Sequence, residues 1–122
     1  MRHQKEGRKF GREQGHRKAL LRNLVRSLVE HGQIKTTVFK AKEARRLADR
    51  LITYTKRDAV HGRRLAYSIL GSRDLVKTLF DELAPTMKQK NGGYTRIIKI
   101  GNRRGDNAPM SILQWASDSN NE

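Results

Sequence analysis

The side chains of this sequence best equipped for chemistry are its cations, and they recur at patterned spacings. Lys18, Arg22 and Arg26 fall four apart, the spacing that places side chains in one row along a helix. Lys40, Lys42, Arg45, Arg46 and Arg50 crowd a second segment. Arg2 and Lys5 precede Gly7 in a third, and Arg8, Lys9 and Arg12 lie in the gaps between Gly7, Gly11 and Gly15. A guanidinium presents a planar fork that grips phosphate through two hydrogen bonds, and an ammonium supplies a mobile point charge. In total 27 Lys and Arg stand against 12 Asp and Glu among 122 residues, a formal net charge of +15. A small body with this excess binds polyanions, and nucleic acid is the leading class. A membrane surface is the competing class. It lacks support, because the sequence has no apolar signal core, no lipidation pattern and no apolar run approaching membrane-spanning length.

Catalytic chemistry finds little to stand on. The four histidines, at 3, 16, 31 and 61, have neither HExxH spacing nor a neighbouring carboxylate pair to complete a metal shell. The absence of Cys removes thiol nucleophiles, disulfides and cysteine-ligated zinc together. Neither GxGxxG after a strand nor GxxxxGK[ST] occurs, so no cofactor or small-molecule substrate is expected. The stretch from Asn91 to Tyr94, NGGY, reads equally well as a backbone cradle for phosphate and as a plain turn. The RGD tripeptide at 104–106 is a chance match. Trp115 and Phe80 lie in apolar segments and are expected in the core, whereas Tyr94 suits either a stacked base or a place under a sheet.

The elements that must carry these cations follow from periodicity. Residues 16–31 place Leu20, Leu21, Leu24, Val25, Leu28 and Val29 on one helical face with the cations opposite, and Gly32 is a left-handed stop. QIKTT predicts a short strand, after which Thr36 or Thr37 caps a helix whose apolar stripe is Ala44, Leu47, Leu51 and Ile52. A third helix runs to Gly71. A fourth opens at Ser72, turns Leu75, Val76, Leu79, Phe80 and Leu83 inward, and should stop at Pro85. YTRIIKI and MSILQW predict a hairpin with a long basic tip, GNRRGDNAP. The expectation is an α+β fold in two layers, ordered helix, short strand, three helices and β-hairpin. Residues 1–15 form a basic extended arm with almost no apolar surface, ordered by a partner; 16–116 form one domain; 117–122 form an acidic tail.

Charge is clustered along this order. Residues 1–22 hold eight basic and two acidic side chains, 40–64 nine and three, and 88–104 six and none. Residues 65–84 hold only Arg73 and Lys77 against Asp74, Asp81 and Glu82, so the fourth helix is expected to face away from the polyanion.

Four stretches together resemble the bacterial large-subunit ribosomal protein family numbered seventeen: MRHQKEGRKFGR, HRKALLRNLVRSLVEH followed by IKTTVFKAKEARRLADRLITY, RRLAYSIL, and GGYTRIIKIGNRRGDNAPM. Gln4 and Glu6 depart from the family's usual residues, and the acidic tail has no clear counterpart. The resemblance implies a non-catalytic structural role in the 50S subunit, with 23S rRNA and neighbouring large-subunit ribosomal proteins as partners. On that reading the expected RNA contacts are Arg2, His3, Lys5, Arg8, Lys9 and Arg12 in the arm, and His16, Arg17, Lys18 and Arg22 in the first helix. Lys35, Thr36, Thr37, Lys40, Lys42, Arg45 and Arg46 follow around the second helix, then Tyr94, Arg96, Arg103 and Arg104 in the hairpin. The alternative from residues alone is a free regulatory or nucleoid-type nucleic-acid binder. An RNA-directed enzyme ranks below both.

Overall fold

The structure, a computed structural model, describes residues 14–116. The expected arm contacts from Arg2 to Arg12 and the expected acidic tail lie outside the described residues. Helix α1 spans Gln14–His31, so residues 14 and 15 belong to the helix rather than to the arm. Its apolar row buries Val25, Leu28 and Val29, with Leu21 and Leu24 half-buried at the margin. At its end Gly32 adopts φ +89° and donates its N–H to the Leu28 carbonyl at 2.8 Å, the expected stop.

Strand β1, Gln33–Thr37, leads directly into helix α2, Val38–Thr55. Of the two candidate caps, Thr37 is used: its hydroxyl oxygen accepts the Lys40 N–H at 3.3 Å. Helix α2 is the hub, packing on α1, on the next helix and on all three strands. Ala41, Ala44 and Ala48 are fully buried on it and let neighbours approach, while Leu51 and Ile52 fill the centre of the core.

Helix α3, Ala59–Leu70, is capped by the Asp58 carboxylate, which accepts the His61 N–H, and ends at Gly71 with φ +65°. Where α3 passes the end of α2, Gly62 lies against the Tyr54 carbonyl so closely that a Cβ there would overlap the oxygen. Helix α4, Arg73–Thr78, starts from the expected Ser72 cap.

The expected stop at Pro85 is replaced by a change of helical register. Residues Leu79–Leu83 form a π turn in which the Ala84 N–H reaches back to the Leu79 carbonyl, and Ala84–Met87 continue as a 3₁₀ turn. Proline has no N–H to donate, and its ring clashes with the carbonyl four residues back. Widening the preceding turn lets the chain pass Pro85 near the start of a new turn and bury Met87 completely.

Strands β2, Thr95–Asn102, and β3, Pro109–Trp115, complete a three-stranded antiparallel sheet in the order β1–β3–β2. Ile34 pairs with Leu113 and Thr36 with Ser111 on one side, and Ile97 pairs with Leu113 and Thr95 with Trp115 on the other. Ser111, Leu113 and Trp115 face the helices, and the Trp115 indole N–H donates to the Leu28 carbonyl at 3.0 Å, tying the sheet to α1. The result is the expected α+β architecture, with helices on one face of the sheet. Phe80 is half-buried at the edge of the core.

Two expected RNA contacts are corrected by this packing. Thr36 is in the inward row of β1, buried, and its carbonyl accepts the Ser111 hydroxyl at 3.3 Å. Tyr94 is a core residue: its ring belongs to the buried cluster, the Lys56 ammonium lies 4.9 Å from the ring centroid, and Lys56 also donates to the Lys90 carbonyl. Strand alternation decides the first case and the covering lysine the second, so neither side chain offers a free face to a base.

Candidate nucleic-acid interface

Two rows of cations stand on the outside of the helical layer. On α1, Lys18, Arg22 and Arg26 are exposed because the Leu and Val positions claim the opposite face. On α2, Lys42, Arg46 and Arg50 are exposed four residues apart, with Lys40 and Arg45 half-buried beside them. None of these is in an ion pair with another described residue. Arg17 is half-buried and has an interaction within the chain. Asp49 interrupts the α2 row, but it turns toward the sheet and accepts the Thr95 hydroxyl at 3.3 Å. Burial raises its pKa, opposed by the charge of Arg45 and by that hydrogen bond.

A second group of cations lies on the other side of the body. Because inward and outward residues alternate, Lys35 on β1 and Arg96 on β2 both point away from the helices, flanking the central strand. The Arg96 guanidinium is set by a 2.9 Å bond to the Gln114 side chain, which in turn donates to Gln33 at 3.1 Å, a polar ladder across all three strands. Beside it Ile98 pairs with Ile112 and is 42% exposed, as is Ile100. The sheet therefore presents an apolar strip between cationic edges.

The hairpin tip is shorter and more ordered than its composition implies. A bulge between Lys99 and Gly101 lets β2 run on to Asn102, leaving residues 103–108 as the turn. Asp106 organises it: the carboxylate accepts two bonds from the Arg103 guanidinium, at 3.1 and 2.7 Å, and one from the Ala108 N–H at 3.1 Å. Asn107 adopts φ +61° and Asn102 bonds to its side chain. Arg103 is thus spent on shaping the loop, and Arg104 is left exposed at its end with no ion pair to a described residue.

The bonds from Arg103 and Ala108 hold the Asp106 carboxyl down to about 2, from an ordinary 3.8. With the folded value depressed, the tip's bonding is fully present above the ordinary value and is lost as pH falls through about 2. Carboxyl ¹³C shifts of Asp106 should titrate with that low midpoint, and Arg103→Ala should move it back toward 3.8. An Asp106 midpoint near 3.8 in the parent chain means the turn is not bonded in solution.

The structure thus brings Lys18 and Arg22 into one row and Lys42 and Arg46 into another, with Lys40 and Arg45 beside the second and His16 exposed at the start of α1, off the first row. It sets Lys35, Arg96 and Arg104 apart on the sheet and tip, and gives Thr37 and Arg103 to internal bonds. Arg26 and Arg50 continue the two helical rows and belong with them; the four-residue spacing was the signal. The exposed isoleucines carried no such signal, because an apolar residue in a strand is read as core. Among the described residues no cluster of His, Cys, Asp and Glu could hold a metal ion, and no helix is long and apolar enough to cross a membrane.

A small α+β body with exposed cations on both its helical and its sheet side defines the class: a protein whose surface is complementary to a polyanion on more than one side. Comparison with known sequences narrows the class. The family model for ribosomal protein L17 matches residues 20–116. Large ribosomal subunit protein bL17 of Nitratidesulfovibrio vulgaris strain Hildenborough is 53% identical over 116 residues, covering 94% of this chain and 87% of that protein. The protein of the same name from Coprothermobacter proteolyticus is 49% identical, covering 95% of this chain and 99% of its own length. The chain belongs to the ribosomal protein L17 family.

Proposed function

We propose that this chain is a structural, non-catalytic constituent of the large ribosomal subunit in the cytoplasm, held on 23S rRNA and adjoining other proteins of that subunit. The observation that carries the reading is the two-sided placement of cations: a row of exposed cations on α1 and another on α2, with Lys35, Arg96 and Arg104 on the sheet and tip beyond. A protein that met nucleic acid through one face would gain little from charge on the other; one enclosed between RNA segments uses both. Family membership supplies the assembly, since its relatives carry the large ribosomal subunit in their names.

Recognition on this reading is by shape. An A-form helix hides its base edges in a narrow groove and displays phosphates and 2′-hydroxyls, which Lys and Arg rows can grip. His16, Arg17, Lys18, Arg22 and Arg26 engage one backbone, and Lys40, Lys42, Arg45, Arg46 and Arg50 a second. Lys35, Arg96 and Arg104 reach RNA on the sheet side, and Arg103 positions the tip. The arm cations from Arg2 to Arg12 add contacts where the glycines allow a close approach.

Sedimentation tests this directly. A tagged copy of the chain, expressed in cells and run on a sucrose gradient after a moderate salt wash, should co-migrate with large subunits. Recovery only in slowly sedimenting fractions would replace this reading with that of a free nucleic-acid binder.

A further inference from the structure

One surface is not accounted for by RNA contacts. Between α3 and α4 a groove of about 470 Å³ is lined by Arg63, Arg64, Tyr67, Arg73 and Val76. Val76 forms its floor. Val60 stands on the same face of α3, one turn before Arg64 and two before Tyr67, and is 61% exposed; the Tyr67 ring is 48% exposed. Arg63 is fixed over the Phe80 ring at 4.5 Å and paired with Asp81 at 3.5 Å. Arg64, Tyr67 and Arg73 have no polar partner among the described residues, so two guanidinium forks and a phenol surround an apolar floor with their bonding capacity unspent.

Resting on the functional reading above, we propose that this groove docks a segment of a neighbouring protein in the large subunit, one that carries an acidic side chain beside an apolar or aromatic one. Charge complementarity selects the acid, which Arg64 and Arg73 hold while its apolar neighbour packs on Val76 and against the Tyr67 ring. Composition selects protein over RNA. The exposed positions of the two rows, Lys18, Arg22 and Arg26 on α1 and Lys42, Arg46 and Arg50 on α2, are all cationic, whereas here Arg63, Arg64, Arg73 and Lys77 alternate with Asp74, Asp81 and Glu82. A phosphate backbone laid along α4 and the π turn after it would meet those three carboxylates, whereas a peptide has donors of its own to satisfy them. Tyr and Arg with few Lys around an apolar centre is also the composition of energetically dominant protein–protein contacts.

The test uses assembled particles. The full chain, with a photoreactive benzoylphenylalanine replacing Tyr67, is expressed in cells, large subunits are isolated, irradiated, and the adducts mapped by mass spectrometry and by RNA sequencing. The expected result is one protein adduct at an Asp- or Glu-bearing segment, its yield falling about tenfold or more when Arg64→Glu and Arg73→Glu are added. A chain present in the subunit peak but crosslinked to RNA, or to nothing, overturns the docking proposal and leaves the ribosomal reading standing. So does a protein adduct whose yield the two charge reversals leave unchanged. A chain absent from the subunit peak sinks both.

Discussion

Raising monovalent salt from 50 to 200 mM should weaken binding of the isolated chain to large-subunit RNA by about 10⁴- to 10⁵-fold. The expectation follows from counterion release: neutralising roughly ten phosphates gives a log-log slope on the order of −7 to −9. The exposed cations of α1 and α2, with Lys35, Arg96 and Arg104, supply that number without the arm. Individual side chains make the test specific. Arg22→Gln and Arg46→Gln should each reduce the slope by about one, because each removes one phosphate contact. Lys77→Gln, on α4 among the carboxylates, should leave it unchanged. A slope near zero, or equal losses at all three positions, is incompatible with an interface built from the α1 and α2 rows.

The second large effect concerns the α2–α3 crossing. Gly62→Val should destabilise the chain by roughly 3 kcal/mol, because the new side chain meets a backbone carbonyl, that of Tyr54, which cannot rotate out of the way. For a body of this size such a loss lowers the midpoint of thermal unfolding by roughly 12 °C or more. Gly71→Ala is the comparison. Open space surrounds Gly71, so only its positive φ penalises a side chain, at about 1 kcal/mol. Circular dichroism melts of the two variants separate steric exclusion from backbone strain. If Gly62→Val melts no lower than Gly71→Ala, the two helices do not cross this closely in solution.

Much of this fold was legible because it rests on local rules. Gly32 and Gly71 end helices and Ser72 begins one because glycine and serine satisfy those positions through their own backbone and side-chain chemistry, whatever surrounds them. Val25, Leu28, Leu51 and Ile52 are buried because helical periodicity puts them on one face. Features that depend on a distant partner were not legible. Nothing local distinguishes Gly62 from a glycine merely tolerated in a helix; its meaning comes from Tyr54 on another element. The burial of Tyr94 depends on Lys56 and the core behind it. The site divides the same way. The four-residue spacing of Lys18, Arg22 and Arg26 exposed the α1 row in advance, whereas the diversion of Arg103 to Asp106 is a property of a turn geometry that composition alone does not specify.

The position of β3 has a consequence for how the chain is made. It lies between the other two strands yet follows every other described element in sequence, so β1 and β2 must each wait for it, β1 across some eighty residues of chain. During vectorial synthesis the helices emerge while the strand that seals their apolar side is still in the tunnel. Neither ladder can form before the Trp115 region has been made, so completion of the sheet is a late step for the nascent polypeptide.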